Sequence, residues 1–343
     1  MFTVFFTALT MVLSVLVIIL LAVILGKFGF IADGVDRGLM RIMVDVLLPC
    51  LIFDRIIHTD AFSEPQNIWL PPLLGFLLTA VGIGIGLGFA MILSSSVTGL
   101  SSPKAKRTFA ASVGLLNYGF IPVPLVAVLF PHDDRTMGVL FLQYIGSELS
   151  IWTLVIFCLY GCLDKKSLRK LLSMPIAAII TAVPLNMIWR SSILPTELKS
   201  ILHLFDFIFD GQCGTIHLLG TAAVPMMLFV IGITISKLFV LDDIKLRWHK
   251  TWRIAIWSTV IRLFIMPLMI LLLVILLPCT IEIKRILVIY AAMNSAIFVV
   301  VLAKHYGGCE KTALDTIMSN TIISIFTLPI WIAFGFYLLA RFG

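Results

Sequence analysis

Mostly apolar runs of about 20 residues follow one another along this chain with only short polar breaks, from FTVFFTALTMVLSVLVIILLAVILG near the start to TIISIFTLPIWIAFGFYLLA near the end. A helix of that length crosses about 30 Å of hydrocarbon at 1.5 Å per residue. The repetition fixes the fold class as an all-α membrane protein with many spans. Composition agrees: 60% of the 343 residues are hydrophobic and only 13% charged, which leaves nothing over for a soluble domain. The first run has no basic segment before it and is too long for the core of a signal peptide, so it reads as a retained helix.

Ten transmembrane helices are expected, at roughly 4–26, 38–58, 68–93, 106–130, 136–161, 172–190, 214–236, 252–277, 284–305 and 312–340. With the N-terminus outside, inner loops hold 17 of the 25 Lys and Arg residues and outer segments seven, leaving Arg262 within a span. That bias places both termini outside. The net charge of +7 therefore reflects topology and not a nucleic-acid partner, because the basic residues are scattered through short loops. An inner linker at 162–171 (containing DKKSLRK) divides the chain into halves of five spans, 1–161 and 172–343. Odd-numbered halves insert in opposite orientation, so a shared fold would make them inverted repeats. Landmarks recur at nearly constant offset: Pro49 and Pro225 lie 176 residues apart, Asn117 and Asn294 177.

The fourth span, GLLNYGFIPVPLVAVLF, holds residues that a continuous lipid-facing helix avoids: Asn117, Gly119, Pro122 and Pro124. Unpaired backbone in hydrocarbon costs several kcal/mol, so broken helix survives only where protein or a wet cavity covers it. The region from Asn117 to Pro124 is expected to be an unwound crossing point, the alternative being a simple proline kink. The matching stretch of the ninth span is YAAMNSAIFVVVLAKHYGG, with Asn294 and Ser295 in its middle. Neither is a strong helix breaker, so a less sharp interruption is expected there. Facing asparagine amides at two interrupted helices would hold a carboxylate or a water, while the half-helix N-termini favour negative charge. Each asparagine alone is better explained by interhelical packing, and it is their matched position that points to function.

Ionisable residues within spans are functional candidates. Asp45 lies one turn before Pro49, Glu148 near the middle of the fifth span, Arg262 in the eighth, and Asp315 at the start of the tenth. Glu148 and Asp45 are candidates for proton exchange, and Arg262 for attracting an anion or pairing with a carboxylate such as Glu148. Lys304 and His305 close the ninth span, where cations suit a helix C-terminus. The series VGIGIGLG (Gly82, Gly84, Gly86, Gly88) lacks a P-loop lysine and reads as close helix packing. In LPTELKSILHLFDFIFDGQCG, Thr196 would cap an interfacial helix with Ile201, Leu202, Phe205, Ile208 and Phe209 on one side, unless the segment is an early start of span seven. Asp206 and Asp210 there read as a solvated face and not as a metal pair. Six cysteines form no CxxC, and neither a metal nor a cofactor is expected.

The broken segments also carry a family resemblance. The fourth span resembles the N-x-G-[FL]-x-G-x-P-L segment of the auxin efflux carrier family, and AAMNSAIFVVVLAKHYGG its ninth span. GTAAVPMMLFVIGITIS resembles its seventh span and SNTIISIFTLPIWI its tenth. The resemblance implies two inverted five-helix repeats, crossed fourth and ninth helices, and an elevator-type secondary transporter of the kind found among bile acid carriers and sodium/proton antiporters. It implies a substrate site at the crossing, here Asn117, Tyr118, Gly119, Pro122, Pro124, Asn294 and Ser295. The family's substrates imply a small organic anion, a carboxylate such as malate or malonate or an auxin-like acid, with protons or sodium as coupling ions. Two departures bear on that site: Pro122 replaces the glycine usual before the family's proline, and Asn294 the proline usual in its ninth span. The short central loop matches compact bacterial members, and so a bacterial inner membrane; a homodimer is compatible with the sequence. The alternatives are a channel or a transporter-derived sensor and, further off, an intramembrane enzyme, for which no catalytic pair stands at membrane depth.

Overall fold

The computed structural model describes residues 2–31, 35–92, 100–131, 133–161, 173–190, 214–240 and 244–342. The linker at 162–171, the 194–213 segment with Thr196, Asp206 and Asp210, and Cys162 and Cys213 lie outside the described residues. The first half comprises α1 (Phe2–Lys27), α2 (Val35–Ile42), α3 (Leu48–His58), α4 (Gln66–Ile92), α5 (Pro103–Gly114), α6 (Pro122–Leu129), α7 (Asp134–Ser150) and α8 (Ile156–Tyr160). The second comprises α9 (Met174–Arg190), α10 (Thr215–Val240), α11 (Ile244–Val260), α12 (Met266–Leu276), α13 (Ile281–Ala291), α14 (Phe298–His305) and α15 (Glu310–Phe342). Helix occupies each of the ten apolar segments. Among the described residues, five helical stretches are long and apolar enough to cross a membrane: Gln66–Ile92, Asp134–Tyr160, Thr215–Ser236, Trp252–Leu276 and Glu310–Phe342.

Three of these helical runs contain a π-turn. Met43–Leu47 joins α2 to α3, Ile151–Val155 joins α7 to α8, and Ile261–Ile265 joins α11 to α12. Such turns hold one residue more than α-helical register allows, and they collect near functional sites.

Close packing rests on small residues. A Cβ on Gly82 would lie 2.8 Å from the Gly114 Cα, and one on Gly86 2.8 Å from the Ala110 Cα, whereas Gly84 and Gly88 face open space. The alternate glycines of VGIGIGLG thus form the seam along which α4 lies on α5, as the sequence indicated. The largest apolar core gathers Leu51, Ile52, Phe141, Ile286, Leu287 and Tyr290 from both halves of the chain.

The fourth segment breaks between α5 and α6, at 115–121, and the ninth between α13 and α14, at 292–297. Two sequence expectations change here. Pro122 and Pro124 do not lie in the unwound stretch: they occupy the first turn of α6, where helical N–H groups have no partner and a missing donor costs nothing. The ninth segment, without a proline, is broken as fully as the fourth. Its released backbone is paired across the crossing, so an external partner does what a proline was expected to do.

Candidate functional site

The two breaks meet in an isolated antiparallel bridge, Leu116 opposite Ser295. Asn117 N–H donates to Asn294 O at 2.9 Å, and Ala296 N–H donates to Leu115 O at 3.0 Å. Backbone groups that helix would have paired internally are thereby satisfied at the centre of the bundle. The bridge sets the two asparagines opposite each other through their backbones. Both are nearly buried, at 7% exposure for Asn117 and 2% for Asn294.

On the first-half side, α7 brings Glu148 against the break. Its carboxylate accepts the Tyr118 hydroxyl at 2.7 Å on Oε1 and the Trp152 indole N–H at 2.8 Å on Oε2. Tyr118 stacks edge-on against Tyr144, with centroids 4.9 Å apart, and its carbonyl accepts the Tyr290 hydroxyl of α13 at 3.0 Å. A Cβ on Gly119 would sit 3.0 Å from the Tyr144 ring, so a glycine leaves room for the aromatic pair. Each carboxylate oxygen of Glu148 therefore has a donor, which is what a buried carboxyl requires.

The second-half side is composed differently. Arg262, in the Ile261–Ile265 turn, is fully buried, and its Nε donates to the Met293 carbonyl at 3.0 Å, one residue before Asn294. Its Nη1 and Nη2 have no hydrogen-bond partner among the described residues. Among the described residues it pairs with neither Glu148 nor any other carboxylate. Asn294 donates from Nδ2 to the Thr321 hydroxyl at 3.2 Å, while its Oδ1 has no partner. Asn320 Nδ2 donates to the Ser295 hydroxyl at 2.9 Å, Thr259 donates to Asn320 Oδ1 at 3.3 Å, and the Ser258 and Ser319 hydroxyls meet at 3.2 Å. The Thr316 hydroxyl, buried on the same helix, is unpartnered. A buried guanidinium with two free forks, beside a broken helix and a free amide oxygen, can hold an anion that also carries a hydrogen-bond donor.

The structure thus brings together Asn117, Tyr118, Gly119, Asn294, Ser295, Glu148 and Arg262, with Pro122 and Pro124 buried in the adjoining helical turn. It does not bring in Asp45, which is half exposed in the Met43–Leu47 turn and pairs with Arg41 at 3.5 Å. Asp315 is buried in the second turn of α15. Four residues around the site were missed: Thr259, Asn320, Thr321 and Trp152. The run SNTIIS in α15 was the available signal, since Ser319, Asn320, Thr321 and Ser324 are all buried.

The family model described as membrane transport protein matches residues 7–332. An uncharacterized transporter of Methanothermobacter thermautotrophicus (strain Delta H) is 26% identical over 324 residues, covering 93% of this chain and 96% of that protein. The family match includes both broken helices, the bridge between them and Arg262. This chain is an integral membrane protein of the membrane transport protein family, the auxin efflux carrier family that its fourth, seventh, ninth and tenth segments resemble.

Proposed function

We propose that the protein is a secondary transporter of a small organic anion, a carboxylate such as malate or malonate or an auxin-like acid, bound where the two interrupted helices cross. One observation carries this reading: the buried Arg262 guanidinium beside Asn294, with Nη1 and Nη2 unpaired and no carboxylate to neutralise it among the described residues. A lone buried cation is strongly unfavourable unless a counter-charge arrives. A transported carboxylate is that counter-charge. Asn117, Tyr118, Gly119, Asn294 and Ser295 frame the same site, and Pro122 and Pro124 set the direction of the helix leaving it.

The same reading takes the chain as two inverted repeats, 1–161 and 172–343 joined by the linker at 162–171, with ten spans in a bacterial inner membrane and, from the distribution of Lys and Arg, both termini outside. The bridge sets opposite each other the two asparagines that the sequence matched at an offset of 177 residues. Alternating access by an elevator motion suits the way the helices group. α1 packs chiefly on α10 and α3 on α9 and α10, while α4 packs on α5 and α7. Arg55 of α3 meets Asp134 of α7 at 2.6 Å, and Arg135 meets Asp60 at 3.3 Å, between these groups. Glu148 is the candidate proton carrier, being a buried carboxyl bonded to the broken segment itself.

Uptake into proteoliposomes decides the matter. Purified protein should accumulate a labelled dicarboxylate or aromatic acid saturably and support counterflow, with and without an imposed pH gradient. Flux that rises linearly with concentration and shows no counterflow would indicate a channel, and absence of any carboxylate flux would remove the anion reading.

A further inference from the structure

The turn that carries Arg262 is held from outside its own helix. Pro267, at the start of α12, has no N–H, so it cannot donate to the Leu263 carbonyl four residues earlier. Trp331 of α15 fills that place: its indole N–H donates to Leu263 O at 2.8 Å. The same indole lies edge-on to the Phe264 ring, with centroids 6.4 Å apart. Leu263 and Phe264 both belong to the π-turn, and Arg262 immediately precedes them. A π-turn is uncommon and short, and one without its full set of internal hydrogen bonds needs support from a neighbour.

We propose that Trp331 is a positioning residue for anion binding: its indole N–H fixes the Leu263 carbonyl, and this holds the Arg262 guanidinium against the Met293 carbonyl at the crossing. The inference rests on Arg262 being the anion-binding group. Trp331 acts through the turn, from a place two turns of α15 beyond Ser324, so its effect is on the aim of the guanidinium and not on its charge. The pairing with Pro267 gives the proposal a specific signature. An N–H restored at position 267 should make the indole donor dispensable.

The test combines hydrogen–deuterium exchange across 261–268 with malonate titration, on the full chain in lipid nanodiscs. Trp331→Phe keeps an aromatic ring and removes the donor. It should speed exchange in that peptide about tenfold and weaken malonate binding about fivefold, the loss of one neutral hydrogen bond. Trp331→His, which keeps a ring N–H, should fall between wild type and Trp331→Phe. Adding Pro267→Ala to Trp331→Phe should return exchange and binding toward wild type, and this double variant serves if Trp331→Phe alone fails to fold. Unchanged exchange in Trp331→Phe, or equal behaviour of the Phe and His variants, would overturn the proposal. So would faster exchange with unaltered malonate affinity in a protein whose binding is lost in Arg262→Ala. If Arg262→Ala itself binds malonate normally, the anion reading falls and the positioning role with it, while exchange still reports whether the indole holds the turn.

Discussion

The two sides of the crossing are built from similar broken helices but leave their charges in opposite conditions. On the first-half side Glu148 accepts from Tyr118 and Trp152, one donor to each carboxylate oxygen. On the second-half side Arg262 has, among the described residues, one partner, a carbonyl, and two unpaired nitrogens. Neutral groups are left open in both halves: Gln143 and Ser147 on α7, and Asn294 Oδ1 and Thr316 on the other side. A buried water can satisfy neutral groups of this kind. It cannot neutralise a guanidinium. The difference teaches where a ligand would matter: on the first-half side the buried carboxylate already has its donors, whereas on the second-half side, under the reading proposed above, the guanidinium is the group an anion would complete.

The sharpest way to break this contrast is Arg262→Met. Two charge-assisted hydrogen bonds at about 1.5–3 kcal/mol each disappear, so carboxylate affinity should fall by roughly 150-fold or more. The unliganded protein should become more stable, by about 1–4 kcal/mol, because an uncompensated buried charge has been replaced by an apolar side chain. Opposite signs for binding and stability, from titration beside thermal unfolding, are the mark of a functional cation. Lower stability with intact binding would make Arg262 a structural residue.

The asparagines come next. Asn294→Ala removes an amide beside Arg262, and Asn117→Ala removes its counterpart across the bridge. Both should weaken binding by about tenfold or more at a stability loss near 0.6 kcal/mol, the usual worth of a polar contact between membrane helices. The bridge itself should persist in each variant, since it is made by backbone groups. Affinity lost in Asn294→Ala alone would place the whole ligand on the second-half side and sharpen the asymmetry.

Much of this architecture was legible because hydrocarbon imposes strict rules. The positions of the apolar helical segments follow from apolar length, and the glycine seam of α4 from close packing without a nucleotide motif. The break in the fourth segment was signalled by Pro122 and Pro124, although these turned out to begin a helix instead of lying in the gap. The full break in the ninth was not legible, because it depends on hydrogen bonds to Leu115 and Asn117, 177 or more residues away in sequence. For the same reason sequence left open whether Arg262 pairs with Glu148. Their separation was a matter of tertiary contacts: Tyr118 and Trp152 occupy the carboxylate, and the Met293 carbonyl occupies only Arg262 Nε. Trp331 gave no sequence signal at all, since an aromatic near the end of a span has many ordinary explanations.

A smaller effect is expected from Glu148→Gln. The amide keeps the shape of the carboxyl and one acceptor oxygen, so the fold and counterflow should change little. A neutral group cannot exchange a proton, so the stimulation of uptake by an imposed pH gradient should drop about fivefold, an effect of about 1 kcal/mol on the driving step. Gradient-driven uptake measured beside counterflow separates the two functions. Equal loss of both would mean that Glu148 only braces Tyr118.

The smallest effect belongs to Asp45, the other residue proposed for proton exchange. Its position before Pro49 made it as eligible as Glu148 for proton exchange, and the structure separates the two by their surroundings. Glu148 is buried, with hydrogen bonds to the broken helix; Asp45 is 46% exposed and lies 3.5 Å from Arg41, one turn earlier and itself 85% exposed. An exposed pair of this sort contributes about 0–1 kcal/mol. Near the start of a span the long Arg41 side chain can also reach the headgroup region, which lowers the cost of its charge at that depth. Asp45→Asn should therefore change affinity and gradient-driven uptake by less than about twofold, with at most a slight loss of thermal stability. Measured in the same proteoliposomes as Glu148→Gln, it calibrates how much of any pH effect comes from merely removing a carboxylate. A loss of gradient coupling in Asp45→Asn equal to that in Glu148→Gln would place proton exchange outside the crossing and dissolve the contrast between its two sides.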